Sequence, residues 1–283
     1  MADIELITAV AEDVAITVAH TWPYVVLGII TAAALKVYVG TDRLAALFRR
    51  RTGAAVGGSV AAAVATPFCS CGTTAVVLSM LTSAVPWAPI VAFMVASPLT
   101  SPDELLLSAG FFGWPFAWYF MAASVVLGFA GGAVALAAER GEFPAADRWR
   151  VREFVGEVLA VGPRMIALFL GFTIVGYTAV ELIPTDWLTT LLGGSGPFAI
   201  LFAATLGLPF YFSSEASMPL VASFVDGGMS EGAAMAFLIT GAGTSIGAIA
   251  GALMIARWRA VAIVVGTLWV GAIVLGSIAS LVL

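Results

Sequence analysis

Cys69-Ser70-Cys71-Gly72-Thr73-Thr74-Ala75-Val76 sets thiols, hydroxyls and a glycine into a run of sequence that otherwise reads as lipid-soluble. Ser213-Ser214-Glu215-Ala216-Ser217-Met218-Pro219-Leu220 interrupts the second half in the same way, each residue standing 144 positions after its counterpart. Polar groups and irregular backbone at membrane depth are costly unless they line a protein-enclosed cavity, so their presence points to a function. A matched pair of breaks, one per half, is the pattern of a transporter built from internal repeats.

The repeat extends outward from these breaks. Thr41-Asp42-Arg43-Leu44 and Leu47 align with Thr185-Asp186-Trp187-Leu188 and Leu191, Ala92-Phe93 with Ala236-Phe237, and Thr100-Ser101 with Thr244-Ser245, all at the offset of 144. Leu27-Gly28 and Leu170-Gly171 agree one residue out of register, which implies a small insertion or deletion upstream. Two homologous halves, 1–141 and 142–283, are expected, joined by a polar linker at about 139–153.

Composition excludes a soluble domain. Hydrophobic residues make up 61% of the chain, charged residues 10%, and the mean hydropathy is +1.06; soluble domains carry about 25% charged residues. The acidic start Met1-Ala2-Asp3-Ile4-Glu5 lacks the basic region of a signal peptide, so the chain is expected to be mature throughout. The net charge of −5 forms no basic stripe, which argues against nucleic acid as a partner.

A bilayer crossing needs about 20 apolar residues. Residues 14–39 make one span, 42–51 a short amphipathic element, 53–84 a segment broken at the thiol motif, and 114–138 a last unbroken span. Residues 86–113, interrupted at Ser97-Pro98-Leu99-Thr100-Ser101-Pro102, are expected to form a re-entrant hairpin. The predicted fold is therefore an all-α integral membrane protein of two inverted-topology repeats. Each has three transmembrane crossings, one of them a broken helix, plus a re-entrant hairpin; the odd count inverts the second half. Charge agrees: with both termini outside, all 12 Lys and Arg residues fall on the cytoplasmic side, from Lys36 and Arg43 to Arg257 and Arg259. A multi-pass protein of the cell (inner or plasma) membrane is expected.

The candidate site is the meeting point of four discontinuities. Pro67 and Gly72 favour unwinding around Cys69, Ser70 and Cys71, freeing backbone groups to face a solute. Ser97, Pro98, Thr100 and Ser101 at one hairpin tip, and Gly243, Thr244 and Ser245 at the other, approach from the opposite faces. Ser213, Ser214 and Glu215 complete the set. Two thiols at i, i+2 cannot share one side of a regular helix, but on an unwound segment Cys69 and Cys71 make a soft bidentate site for a thiophilic metal or metalloid. The competing reading is that they pack as small apolar residues. Glu215, among Tyr211, Phe212 and Met218, is placed to carry a coupling proton, against the alternative of a structural hydrogen bond. His20 and Trp87, Trp114, Trp187 and Trp258 read as interfacial residues. Asp103 and Glu104 read as caps on the second arm of the hairpin, with the alternative that they line an external entrance.

Thr66-Pro67-Phe68-Cys69-Ser70-Cys71-Gly72, followed by Ala92-Phe93-Met94-Val95-Ala96-Ser97-Pro98, resembles the predicted permease family that includes the organoarsenical efflux permeases. The resemblance spans essentially the whole chain and implies a polytopic transporter, with export of trivalent arsenicals known among its members. The family pattern has proline where this chain has Ala75, and Pro219 stands at the repeat-equivalent position. A trivalent arsenic bearing one organic group has two positions left for thiolates, matching two cysteines; inorganic arsenite would call for a third.

The expected partners are a small solute, the lipid bilayer and a proton gradient. No cofactor is expected, and neither a phosphate-binding loop nor a His-Glu-x-x-His motif is present to suggest an enzyme. Two alternatives stay open: a permease for a sulfur-containing solute without thiol ligation, and a membrane thiol oxidoreductase using Cys69 and Cys71.

Overall fold

The computed structural model describes residues 52–66, 85–139, 196–210, 214–244 and 258–283, with isolated positions at 19, 73, 76, 77, 80, 249, 252 and 253. The predicted span 14–39, the amphipathic element 42–51 and the linker from 140 to 153 lie outside the described residues, as does the first span of the second half. Among the described residues there is no strand. The elements are α1 (Thr52–Ala65), α2 (Trp87–Ala96), a 3-10 turn (Ser97–Thr100), α3 (Pro102–Phe112) and α4 (Trp114–Glu139) in the first half. In the second half they are α5 (Pro197–Phe210), α6 (Ser214–Asp226), α7 (Glu231–Thr244) and α8 (Trp258–Val282).

Local chemistry sets these boundaries. Pro67 has no amide hydrogen to continue the ladder of α1, which stops just before it. Pro98 does the same to α2, whose last turn tightens into the 3-10 segment. Ser101, with extended backbone, caps α3 by accepting from the Glu104 amide at 3.4 Å, and Pro102 occupies the first helical position. Gly113 ends α3 at φ +89°, a conformation that favours glycine. Gly228, at φ +104°, closes α6; the Met229 amide returns to the Phe224 carbonyl at 2.9 Å and both side chains are buried.

The helices sort by burial. All residues of α2 except Met94 are buried, and α7 is buried from Gly232 through Thr244. A helix that is apolar all round belongs inside a bundle. α4 and α8, of 26 and 25 residues, are long and apolar enough to cross a bilayer. Each leaves large apolar side chains exposed, among them Trp118 and Phe129 on α4 and Val270 and Val274 on α8. Such surfaces suit lipid rather than water.

Packing follows the same scheme twice. α2 lies against α1 and α4, while α7 lies against α5 and α8. α2 with its turn begins at Trp87 and α7 at Glu231; α4 begins at Trp114 and α8 at Trp258, each pair 144 residues apart. Glycines allow the close approaches: a Cβ at Gly132 of α4 would lie 2.6 Å from Val56 Cγ1 and 3.0 Å from Ala92 Cβ. The halves meet where α4 packs on α8 and α3 on α6. The Tyr119 hydroxyl donates to the Leu275 carbonyl at 2.8 Å across the α4–α8 contact.

α2 with its turn and α3 together have the length and apolarity of a span, bent by 44° at the break, the geometry of a broken span or a re-entrant loop. The second half differs. Ala242 stands where the first half has Pro98, and α7 stays α-helical through Thr244. Gly241, Ala242, Gly243 and Thr244, the first part of the hairpin tip expected across 241–247, are therefore helical, and 245–247 lie outside the described residues. Glycine weakens a helix but, unlike proline, keeps its amide hydrogen, so the ladder survives.

Candidate functional site

The most polar buried region among the described residues surrounds the 3-10 turn. Ser97, Leu99, Thr100 and Ser101 are buried, as are Thr73, Glu104, Ser108 and Ser124 around them. The turn exists because Pro98 cannot donate to the Met94 carbonyl and the chain must find other partners for its backbone. Neighbouring hydroxyls supply some of them. Ser124 of α4 donates to the Leu99 carbonyl at 3.5 Å and to the Phe120 carbonyl at 2.7 Å.

Two hydrogen bonds tie this turn to the flanks of the thiol motif. Upstream of the motif, the Ala63 carbonyl has lost its regular donor because residue 67 is proline. It accepts instead from the Thr66 amide at 3.4 Å, the Thr66 hydroxyl at 3.3 Å and the Thr100 hydroxyl at 3.2 Å. Thr100 also donates to the Ala96 carbonyl at 3.1 Å. Downstream of the motif, the Thr73 hydroxyl donates to Ser97 Oγ at 2.9 Å. The chain is thus held to one buried turn on both sides of Pro67–Gly72.

Of the predicted site residues, Ser97, Pro98, Thr100 and Ser101 are brought together in this turn. Ser101 is the cap of α3 in the place the sequence reading assigned to Asp103 and Glu104; Glu104 contributes the amide and has a buried side chain. Cys69, Ser70, Cys71, Gly72, Ser213 and Ser245 lie outside the described residues. Ser214 and Glu215 form the first turn of α6, and their side chains lie outside the described residues. Pro219 inside α6 leaves the Glu215 carbonyl without its regular amide donor. Gly243 and Thr244 are helical: a Cβ at Gly243 would come within 2.6 Å of Leu268 Cδ1, and the Thr244 hydroxyl donates to the Thr240 carbonyl of its own helix.

Sequence reasoning missed Thr73, Ser108 and Ser124 as site residues, and weighed Glu104 only as a cap or as lining an external entrance. Thr73 directly follows Gly72, in the polar stretch that the sequence itself marks. The signal for Glu104 and Ser108 was their spacing from Ser101, at i+3 and i+7, which puts all three on one face of a helix. Among the described residues no group of three or more His, Cys, Asp or Glu side chains is arranged to hold a metal ion. Among the described residues the site is one of hydroxyls, carbonyls and a carboxyl, groups that can bind polar solutes and protons.

No curated protein and no solved structure matches the chain. A protein family described as "Predicted permease" matches residues 8–140 and again 142–281, one match per half and nearly the whole chain between them. On that match, with the apolar helices around a buried polar turn, the chain belongs to the predicted permease family and is a multi-pass membrane transport protein.

Proposed function

We propose that this permease is a secondary transporter that exports a small thiophilic solute such as a trivalent organoarsenical. In this reading Cys69 and Cys71 ligate the solute as a soft bidentate pair. Ser70, Gly72, Ser97, Pro98, Thr100 and Ser101 line the pocket from the first half; Ser213, Ser214, Gly243, Thr244 and Ser245 line it from the second. Glu215 carries a coupling proton, and the chain acts without a cofactor and without chemical change to the solute. The observation that carries this reading is the pair of hydrogen bonds flanking the thiol motif, Thr100 to the Ala63 carbonyl and Thr73 to Ser97. Cys71 is two residues along the chain from Thr73.

The reading includes inverted halves in the cell membrane with both termini outside. The basic clusters at Arg43–Arg51 and Arg140–Arg152 share a face only if the chain crosses an even number of times between them. Three apolar segments intervene, so one must return to the face it entered. Residues 86–113 are our first choice for the returning hairpin. The bend of only 44° between α2 and α3 favours a second reading, in which that pair crosses and the thiol-bearing segment returns. Both preserve the inversion. Labelling that found Arg148 and Arg257 on different faces of the bilayer would overturn it.

Flux into or out of proteoliposomes tests the solute and its ligands. The panel comprises monosubstituted trivalent arsenicals, thiophilic metals and sulfur anions, under an imposed proton gradient. Native protein is expected to move the monosubstituted arsenical, and C69S/C71S is expected to lose that flux. Arsenical flux that persists in the double variant removes the dithiol; flux of a sulfur anion alone, unaffected by C69S/C71S, replaces the solute.

A further inference from the structure

α3 is built inside out. Of its described side chains and that of its cap, only Ser101, Glu104 and Ser108 are buried, at 4%, 2% and 0% exposure, whereas Leu106 is 64% exposed. Positions i, i+3 and i+7 form one stripe along a helix, so this apolar helix turns its polar stripe to the protein, with Leu106 outward and Leu105 and Leu107 only partly covered. In a water-soluble fold that arrangement would be wrong on both faces. In a bilayer it marks a helix whose polar stripe borders an interior path, because ionisable groups at membrane depth face the bundle interior or a wet cavity.

The stripe lies between the halves. α3 packs against the 3-10 turn, against α4 and against α6, the helix of the second half that begins at Ser214-Glu215. The charged or titratable groups on those elements are Tyr119 and Glu139 on α4 and Glu215 and Asp226 on α6; the turn has none, and Asp103 shares α3 itself. None of these groups is cationic, so those elements bring no positive charge to balance a carboxylate at Glu104. The Ser108 hydroxyl donates to the Leu105 carbonyl at 3.0 Å, which leaves its oxygen lone pairs turned to accept.

We infer that Glu104 is a second proton-carrying carboxyl of this permease, taking up and releasing a proton along the Ser101–Glu104–Ser108 stripe as the two halves move past one another at the α3–α6 contact. Uptake forms one O–H bond on the carboxylate from a proton of the aqueous phase, and release breaks that bond; nothing is oxidised or reduced. The inference rests on the transporter reading above but not on its solute or on the thiols.

Difference infrared spectroscopy of the reconstituted protein between mildly acidic and mildly alkaline pH tests it without any solute. The native protein is expected to show the carbonyl stretch of a protonated carboxyl that E215Q retains in part and E104Q lacks in part. A spectrum of E104Q identical to native, or no carboxyl band in native protein, overturns the inference. Proteoliposome flux of a monosubstituted trivalent arsenical is the second arm. One proton per solute across one pH unit sustains about tenfold accumulation, and in E104Q the ratio of gradient-driven accumulation to exchange at equal pH falls toward one. E104D, which keeps the carboxyl, restores part of that ratio; a variant pair that retains it unchanged sinks Glu104 alone. Native protein that moves no arsenical sinks the proposed solute, and the infrared band then decides for or against Glu104 by itself.

Discussion

Exchanging Pro98 and Ala242 tests the backbone difference between the two central helices at the point where one of them breaks. In A242P the ring removes the amide hydrogen that closes the ladder back to Leu238 and crowds that carbonyl, at a position that is buried in α7. Proline inside a helix costs about 3 kcal/mol relative to alanine, and forcing a ring into a packed site adds roughly 1–3 kcal/mol. At about 2–4 °C per kcal/mol for a chain of this size class, the midpoint of thermal unfolding should fall by about 8–24 °C. P98A runs the other way. It restores an amide hydrogen that can reach the Met94 carbonyl, which offsets the loss of the Thr100 and Thr73 contacts made by the bent turn, so stability should change by less than about 1 kcal/mol. Solute flux should nevertheless drop, because a straightened turn withdraws its hydroxyls from the thiol motif. Tryptophan fluorescence on heating, with flux measured on the same preparations, reads both quantities. Equal destabilisation by the two substitutions, or an A242P protein as stable as native, would refute the account of why one helix breaks and the other does not.

Two further substitutions probe the packing around the turn. T100V removes the donor to the Ala63 carbonyl while keeping the shape of the side chain. Interhelical hydrogen bonds in membranes average about 0.6 kcal/mol and reach about 1.7, so denaturant unfolding should show a loss in that range. T66V/T100V should cost more than the two single changes together, since both hydroxyls serve the same carbonyl; additivity within about 0.3 kcal/mol would show that the carbonyl does not need them. G132A should cost about 1–3 kcal/mol because its new methyl meets Val56 and Ala92. G110A, where a Cβ meets nothing within 4 Å, should be neutral or stabilising by up to about 1 kcal/mol. A G132A protein as stable as G110A would mean that α4 and α1 are not so closely packed.

Much of the architecture was legible from residues taken singly. Hydropathy decided the membrane class, because transfer from water is additive over side chains and needs no knowledge of neighbours. The 144-residue repeat was written in the letters themselves. Pro67 and Pro98 announced where α1 and α2 stop, since a missing amide hydrogen is a property of one residue. Of the hairpin tip expected across 241–247, residues 241–244 stayed helical, because glycine permits a turn without requiring one and α7 is buried there, while 245–247 lie outside the described residues. Which face of an apolar helix is buried was beyond sequence altogether. In lipid the outside is as apolar as the inside, so the spacing of Ser101, Glu104 and Ser108 shows that they share a face of α3 but not what covers it; contact with α4 and α6 turned that face inward. The same holds for the hydrogen bonds of Thr73 with Ser97 and of Thr100 with Ala63, which join residues 24 and 37 positions apart. Composition and local backbone chemistry determined that the chain enters the membrane and where its helices break. Only tertiary packing decided which breaks meet, because a buried polar group takes its partner from whatever the fold brings within reach.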